Sequence, residues 1–112
     1  MIMMASWIGV ANAQNVAPSY PGGETALTTY ISENLQYPAE AKANGIEGVV
    51  GVTFMVKADG SIGSIKIKRM VDPDLESEAI RLVKGMPKWT PGSSDGVTVD
   101  SPAEVDIPFT LE

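Results

Sequence analysis

The chain is predicted to be an α+β domain: two main helices packed on one face of a short three-stranded antiparallel sheet. Three observations predict it. Leu27, Tyr30, Ile31 and Leu35 recur at helical spacing, and so do Leu75, Ala79, Leu82, Val83 and Met86. Val50, Val52, Phe54 and Val56 alternate with the residues between them, as do Ala103, Val105, Ile107, Phe109 and Leu111. A turn signal joins the first alternating run directly to the next strand, which fits a hairpin rather than a parallel crossover unit. With 112 residues there is room for one small domain.

Residues 1–13, MIMMASWIGVANA, stand apart from that domain: apolar, uncharged and ending in Ala11-Asn12-Ala13. An apolar stretch closed by small-x-small resembles a secretory signal with cleavage between Ala13 and Gln14. It falls short of the about 20 apolar residues that a membrane span needs. No Lys or Arg precedes the run, as expected if Met1 lies inside a longer signal peptide. The other reading is an apolar segment that packs on the domain or on a partner chain. On the first reading the mature chain begins at Gln14 and works in the periplasm. Residues 14–23, with Pro18, Pro21, Gly22 and Gly23, read as an extended leader, and residues 24–112 as the domain.

The first helix is expected from Glu24 and is stopped by Tyr37-Pro38, because the residue before proline avoids the helical region. Pro38 can open a short second helix, Ala39 to Ala43, closed by Asn44-Gly45. The strand Val49 to Val56 turns at Ala58-Asp59-Gly60-Ser61 into a second strand through Ile65 and Ile67. Ile62 is out of step with Ile65, which predicts a bulge or an irregular entry to that strand. Asp72-Pro73 is a cap followed by a proline suited to a first helical turn. Glu76 and Glu78 early and Arg81 and Lys84 late complement the helix dipole. Gly85 and Pro87 end that helix. Residues 89–96 read as a loop and Val97 to Leu111 as the last strand region.

Composition narrows the function. Histidine and cysteine are absent, which excludes Ser-His-Asp and Cys-His catalysis, imidazole or thiolate zinc sites and disulfides. The formal charge is −6, and this argues against a nucleic-acid binder. All eight bases lie between Lys42 and Lys88, leaving acidic ends around a basic middle. An enzyme would have to work with carboxylates, Lys, Tyr or Ser alone, and the candidate carboxylate pairs are Glu104 with Asp106 and Asp72 with Asp74. A helix cap and a solvated strand face account for those pairs, so no enzyme, metal or cofactor is expected. Trp89 is expected to lie over the core between helix and sheet rather than to stack on a ligand.

Laid end to end, several local features resemble one family. They are Tyr37-Pro38 with Ala41, Gly45-Ile46-Glu47-Gly48, Val50-x-Val52-x-Phe54-x-Val56, Asp59-Gly60-x-Ile62, Asp72-Pro73-x-Leu75, Glu78-Ala79, and Met86-Pro87-x-Trp89-x-Pro91-Gly92. In order, spacing and type they resemble the TonB C-terminal domain over about residues 20–112. The resemblance implies a periplasmic module that binds a TonB box, a short extended peptide of outer-membrane transporters, beside its last strand. It therefore implies partner-binding residues at Asn34 and Gln36, before the Tyr-Pro pair, and at Glu104, Val105, Asp106, Ile107, Phe109 and Thr110. The same edge could instead pair with its own copy to give a homodimer. In this sequence no membrane-spanning helix and no long Pro-rich segment precedes the domain. The chain is thus expected to be either a piece of a longer protein or a free-standing secreted domain, and the signal-like start favours the second.

Overall fold

The computed structural model describes residues 15–111, so the signal-like segment lies outside the described residues. The chain runs β1 (Asn15–Val16), α1 (Gly23–Asn34), α2 (Ala39–Ala43), β2 (Gly48–Val56), β3 (Ile62–Arg69), α3 (Pro73–Lys84), β4 (Gly92–Ser94), β5 (Val97–Val99) and β6 (Ser101–Phe109). The main sheet has the order β3-β2-β6, all antiparallel, as the alternation predicts. Among the described residues no helix is long and apolar enough to cross a membrane.

One apolar core fills the space between sheet and helices. Val50, Val52, Phe54 and Val56 of β2 and Val105, Ile107 and Phe109 of β6 meet Leu75, Ala79, Leu82 and Val83 of α3. Strict alternation on β2 and β6 sends every second side chain into this layer. Trp89 closes one end as expected, edge-on to Phe54 at 5.1 Å and to Tyr20 at 5.8 Å between ring centroids. Its indole N–H is buried without an acceptor among the described residues. The α1 stripe is only half-buried, and Leu27, Tyr30 and Ile31 pack against the core from its rim.

The expected starts and stops are visible as hydrogen bonds. The Asp72 carboxylate accepts from the N–H groups of Asp74 (2.9 Å) and Leu75 (3.4 Å) and so caps α3. Gly60 has φ +89°, and a Cβ there would collide with the Trp89 carbonyl oxygen, so the turn needs glycine twice over. The bulge predicted near Ile62 is present: Thr53 pairs with Lys66 and Met55 with Gly63, which leaves an extra residue on β3. A second lies where Gly51 pairs with Arg69 but Val52 with Ile67.

Two expectations need correction. The stretch 89–96 is not a plain loop, because Gly92–Ser94 forms β4. The last strand region is two strands, β5 and β6, broken at Asp100, whose carboxylate accepts from the Ala58 N–H at 2.8 Å. The physical reason is the leader. Asn15 and Val16 pair with Ser94 and Ser93, and Ser19 pairs with Thr90, so a separate small sheet β1-β4-β5 forms from segments distant in sequence.

Candidate functional site

β6 has one neighbour in the sheet, and which of its groups face the free side follows from the hairpin. At the turn the Lys57 N–H donates to the Ser61 carbonyl at 2.8 Å. Odd-numbered residues of β2 therefore turn their backbone groups toward β3 and even-numbered ones toward β6. Both bulges place their extra residue on β3, so β2 keeps this alternation throughout. β2 and β6 pair without a shift from Gly48 with Phe109 to Val56 with Ser101. Ser101, Ala103, Val105, Ile107 and Phe109 are thus turned to β2, while Pro102, Glu104, Asp106 and Pro108 are turned outward.

The prolines now make sense. A proline lacks the ladder donor, and both of these sit where the missing N–H would have faced solvent. Glu104 and Asp106 carry complete outward donor–acceptor sets and exposed side chains. Val105, Ile107 and Phe109 are buried in the core with their backbone committed to β2, so they shape the edge from behind. Thr110 is exposed just past the strand. Beyond it the Leu111 N–H donates to the Glu47 carboxylate.

The outer face of the sheet is charged across its width. Gly51 is flanked by Arg69 on β3 and Asp106 on β6, and Thr53 by Lys66 and Glu104. Lys68 Nζ reaches across to Glu104 Oε1 at 3.0 Å. β3 is the basic margin and β6 the acidic one. Among the described residues, no three carboxylates converge to hold a metal ion.

A cleft of about 260 Å³ opens beside the start of β6, lined by Pro102, Ala103 and Glu104 and by Tyr20, Leu27 and Trp89. No residue of β2 lines it. It therefore lies on the free side of β6.

Asn34 and Gln36 belong to a different construction. The Gln36 N–H donates to Glu78 Oε2 at 2.7 Å, and Arg81 binds the same carboxylate through Nε at 2.7 Å and Nη2 at 2.8 Å. Arg81 Nη2 also donates to the Asn34 carbonyl at 2.9 Å, and Asn34 Nδ2 to that of Tyr30 at 2.8 Å. Glu78 is the one charged residue buried among the described residues. Burial pushes its carboxyl pKa up, but the Arg81 guanidinium and the Gln36 N–H outweigh that and hold it below its ordinary value. Its part is thus more than the dipole complement predicted from sequence: it latches the segment before Tyr37 onto α3. Within that segment Tyr37 reaches β6, with its ring edge-on to Phe109 at 5.6 Å and its hydroxyl donating to the Ile46 carbonyl. The side chains of Asn34 and Gln36 are exposed, and their hydrogen bonds run to α1 and α3. Sequence carried no local signal for this latch, because Gln36 and Glu78 lie 42 positions apart.

Known proteins are similar to this chain in sequence and fold. The family described as Gram-negative bacterial TonB protein C-terminal matches residues 33–111. Protein TonB from two strains of Helicobacter pylori is 34% identical over 77 residues, which is 68% of this chain. The match covers 28% of one of these relatives and 27% of the other, so the chain spans little more than a quarter of their length. Two solution structures of the Helicobacter pylori TonB C-terminal domain superpose on it. One has a TM-score of 0.61 at 25% identity, covering 93% of this chain and 86% of that domain. The shorter has a TM-score of 0.57 at 30% identity, covering 79% and 92%. On sequence and fold together, this chain belongs to the TonB C-terminal domain family.

Proposed function

We propose that this domain is a periplasmic peptide-binding module that takes the TonB box of outer-membrane transporters as an added strand on β6, and that it serves energised transport. One observation carries the reading: β6 presents a free edge whose outward backbone groups are unpaired at Glu104 and Asp106, next to a cleft able to receive a side chain. Main-chain pairing supplies affinity, and the acidic margin favours peptides that carry Lys or Arg. The charge pattern disfavours the homodimer through the same edge. Two copies of β6 paired about Val105 would oppose Glu104 of one to Asp106 of the other, like charges directly across a ladder.

An NMR titration with TonB-box-like peptides tests the reading. The expected result is shifts along residues 102–110 that weaken as salt rises. Shifts confined to the helices, with β6 silent, would refute it, and a concentration-dependent dimer that peptide does not disturb would favour self-association. We also propose that the chain is processed before Gln14. Intact mass of the secreted protein checks this, and retention of residues 1–13 would remove the secretion argument.

A further inference from the structure

We propose that Pro102 and Pro108 fence the free edge, so that strand addition finds complete pairs only at Glu104 and Asp106, and that Asp106 rather than Glu104 selects a basic side chain on the incoming peptide. The proposal rests on the peptide-binding reading above and concerns how that edge chooses its register.

The outward-facing positions of β6 are 102, 104, 106 and 108, as the shift-free pairing with β2 requires. All four offer a carbonyl, but positions 102 and 108 are proline and offer no N–H. The edge is therefore rich in acceptors and carries donors only at its centre. An incoming strand finds an acceptor for its own N–H at every outward position. Its carbonyls find a donor only opposite Glu104 and Asp106. A peptide whose paired carbonyls reach only 104 and 106 loses one of those bonds when it slides by two residues in either direction, and that lost bond opposes the slip. Both ends of the window are closed by the same device, which also blunts the edge against unselective pairing.

The side chains separate the two acids. Glu104 is engaged by Lys68 from the far side of β2, at 3.0 Å to Oε1 and 3.2 Å to Oε2. Asp106 has no ion-pair partner among the described residues. Gly51 lies between Asp106 and Arg69: a Cβ there would stand 3.4 Å from the Asp106 carboxylate and 3.2 Å from the Arg69 Cβ, yet the two side chains make no ion pair across it. A peptide cation laid along the exposed face meets a carboxylate at 106 that is held in no ion pair and one at 104 that Lys68 already holds.

Amide hydrogen exchange on the unmodified protein, free and with a nine-residue TonB-box-like peptide containing one Lys, is the first measurement. Within residues 102–109 only the Glu104 and Asp106 amides should gain protection, because the odd-numbered ones are already bonded to β2. New protection at Val105 or Ile107 with Glu104 and Asp106 unchanged would overturn the register. No protection and no shift on β6 would instead refute the peptide-binding reading itself. The second measurement is affinity. Pro108→Thr and Pro102→Thr each restore an outward N–H and should tighten the nine-residue peptide roughly two- to tenfold. Neither should help a five-residue peptide that spans only 103–107. Binding by wild type at β6, with both variants folded but unchanged in affinity, would overturn the fence. Asp106→Asn should weaken the Lys peptide several times more than Glu104→Gln does, and equal losses would overturn the selectivity.

Discussion

Glu78→Gln tests whether the segment before Tyr37 is held by a charge or merely by packing. The carboxylate receives three short hydrogen bonds, one from the Gln36 N–H and two from Arg81. Glutamine keeps the volume and one acceptor but turns an amide N–H toward the guanidinium. A hydrogen bond to a charged group contributes about 1.5–3 kcal/mol. The Arg81 side chain is 50% exposed, so its share is screened to about 1 kcal/mol or less. The backbone bond to Gln36 carries most of the rest, and the expected loss is about 2–3 kcal/mol. With a urea slope of about 1–3 kcal/mol per molar, the unfolding midpoint should fall by about 1–2 M, followed through the fluorescence of buried Trp89. The sign with pH is fixed by the direction of the shift. A carboxyl held below its ordinary value of 4.5 stabilises the fold above that pH. The contribution is lost as pH falls through the folded value, so the gap between wild type and Glu78→Gln should close in acid. A midpoint change under 0.3 M, or a gap that does not vary between neutral and acid pH, would refute the latch.

Other outcomes follow from the same contacts. Val52→Ala or Leu82→Ala, each truncating a residue at most 1% exposed, should cost about 2–4 kcal/mol in denaturant unfolding. Asp72→Ala removes the α3 cap and should cost about 0.5–2 kcal/mol, with little change for Asp72→Asn or Asp72→Ser. Gly60→Ala combines a left-handed backbone with a clash at the Trp89 carbonyl and should cost about 2–4 kcal/mol, visible as a lowered Tm. Tyr37→Phe keeps the ring on Phe109 but loses the hydroxyl bond to Ile46, so about 1 kcal/mol of stability should go while the β6 amide shifts stay in place.

The sequence by itself determined the elements whose causes are local. Period-two runs at Val50–Val56 and Ala103–Phe109 fixed which faces are buried, Asp72-Pro73 fixed the start of α3, and Asp59-Gly60 fixed the hairpin, since each depends on neighbours a few residues away. The same alternation put Glu104, Asp106 and Thr110 on the exposed face. Only the tertiary structure decided the rest. The small sheet β1-β4-β5 joins residues nearly eighty positions apart in strands of two or three residues, too short for any period to show. Glu78 looked like one more acid at the start of a helix until folding brought the Gln36 N–H to it from 42 positions away. The direction of the β6 backbone was likewise hidden. Side-chain alternation says which face a residue takes, but only pairing with a partner strand says which edge its N–H and carbonyl serve. That pairing turned Pro102 and Pro108 from two awkward residues in a strand into the two ends of an open edge.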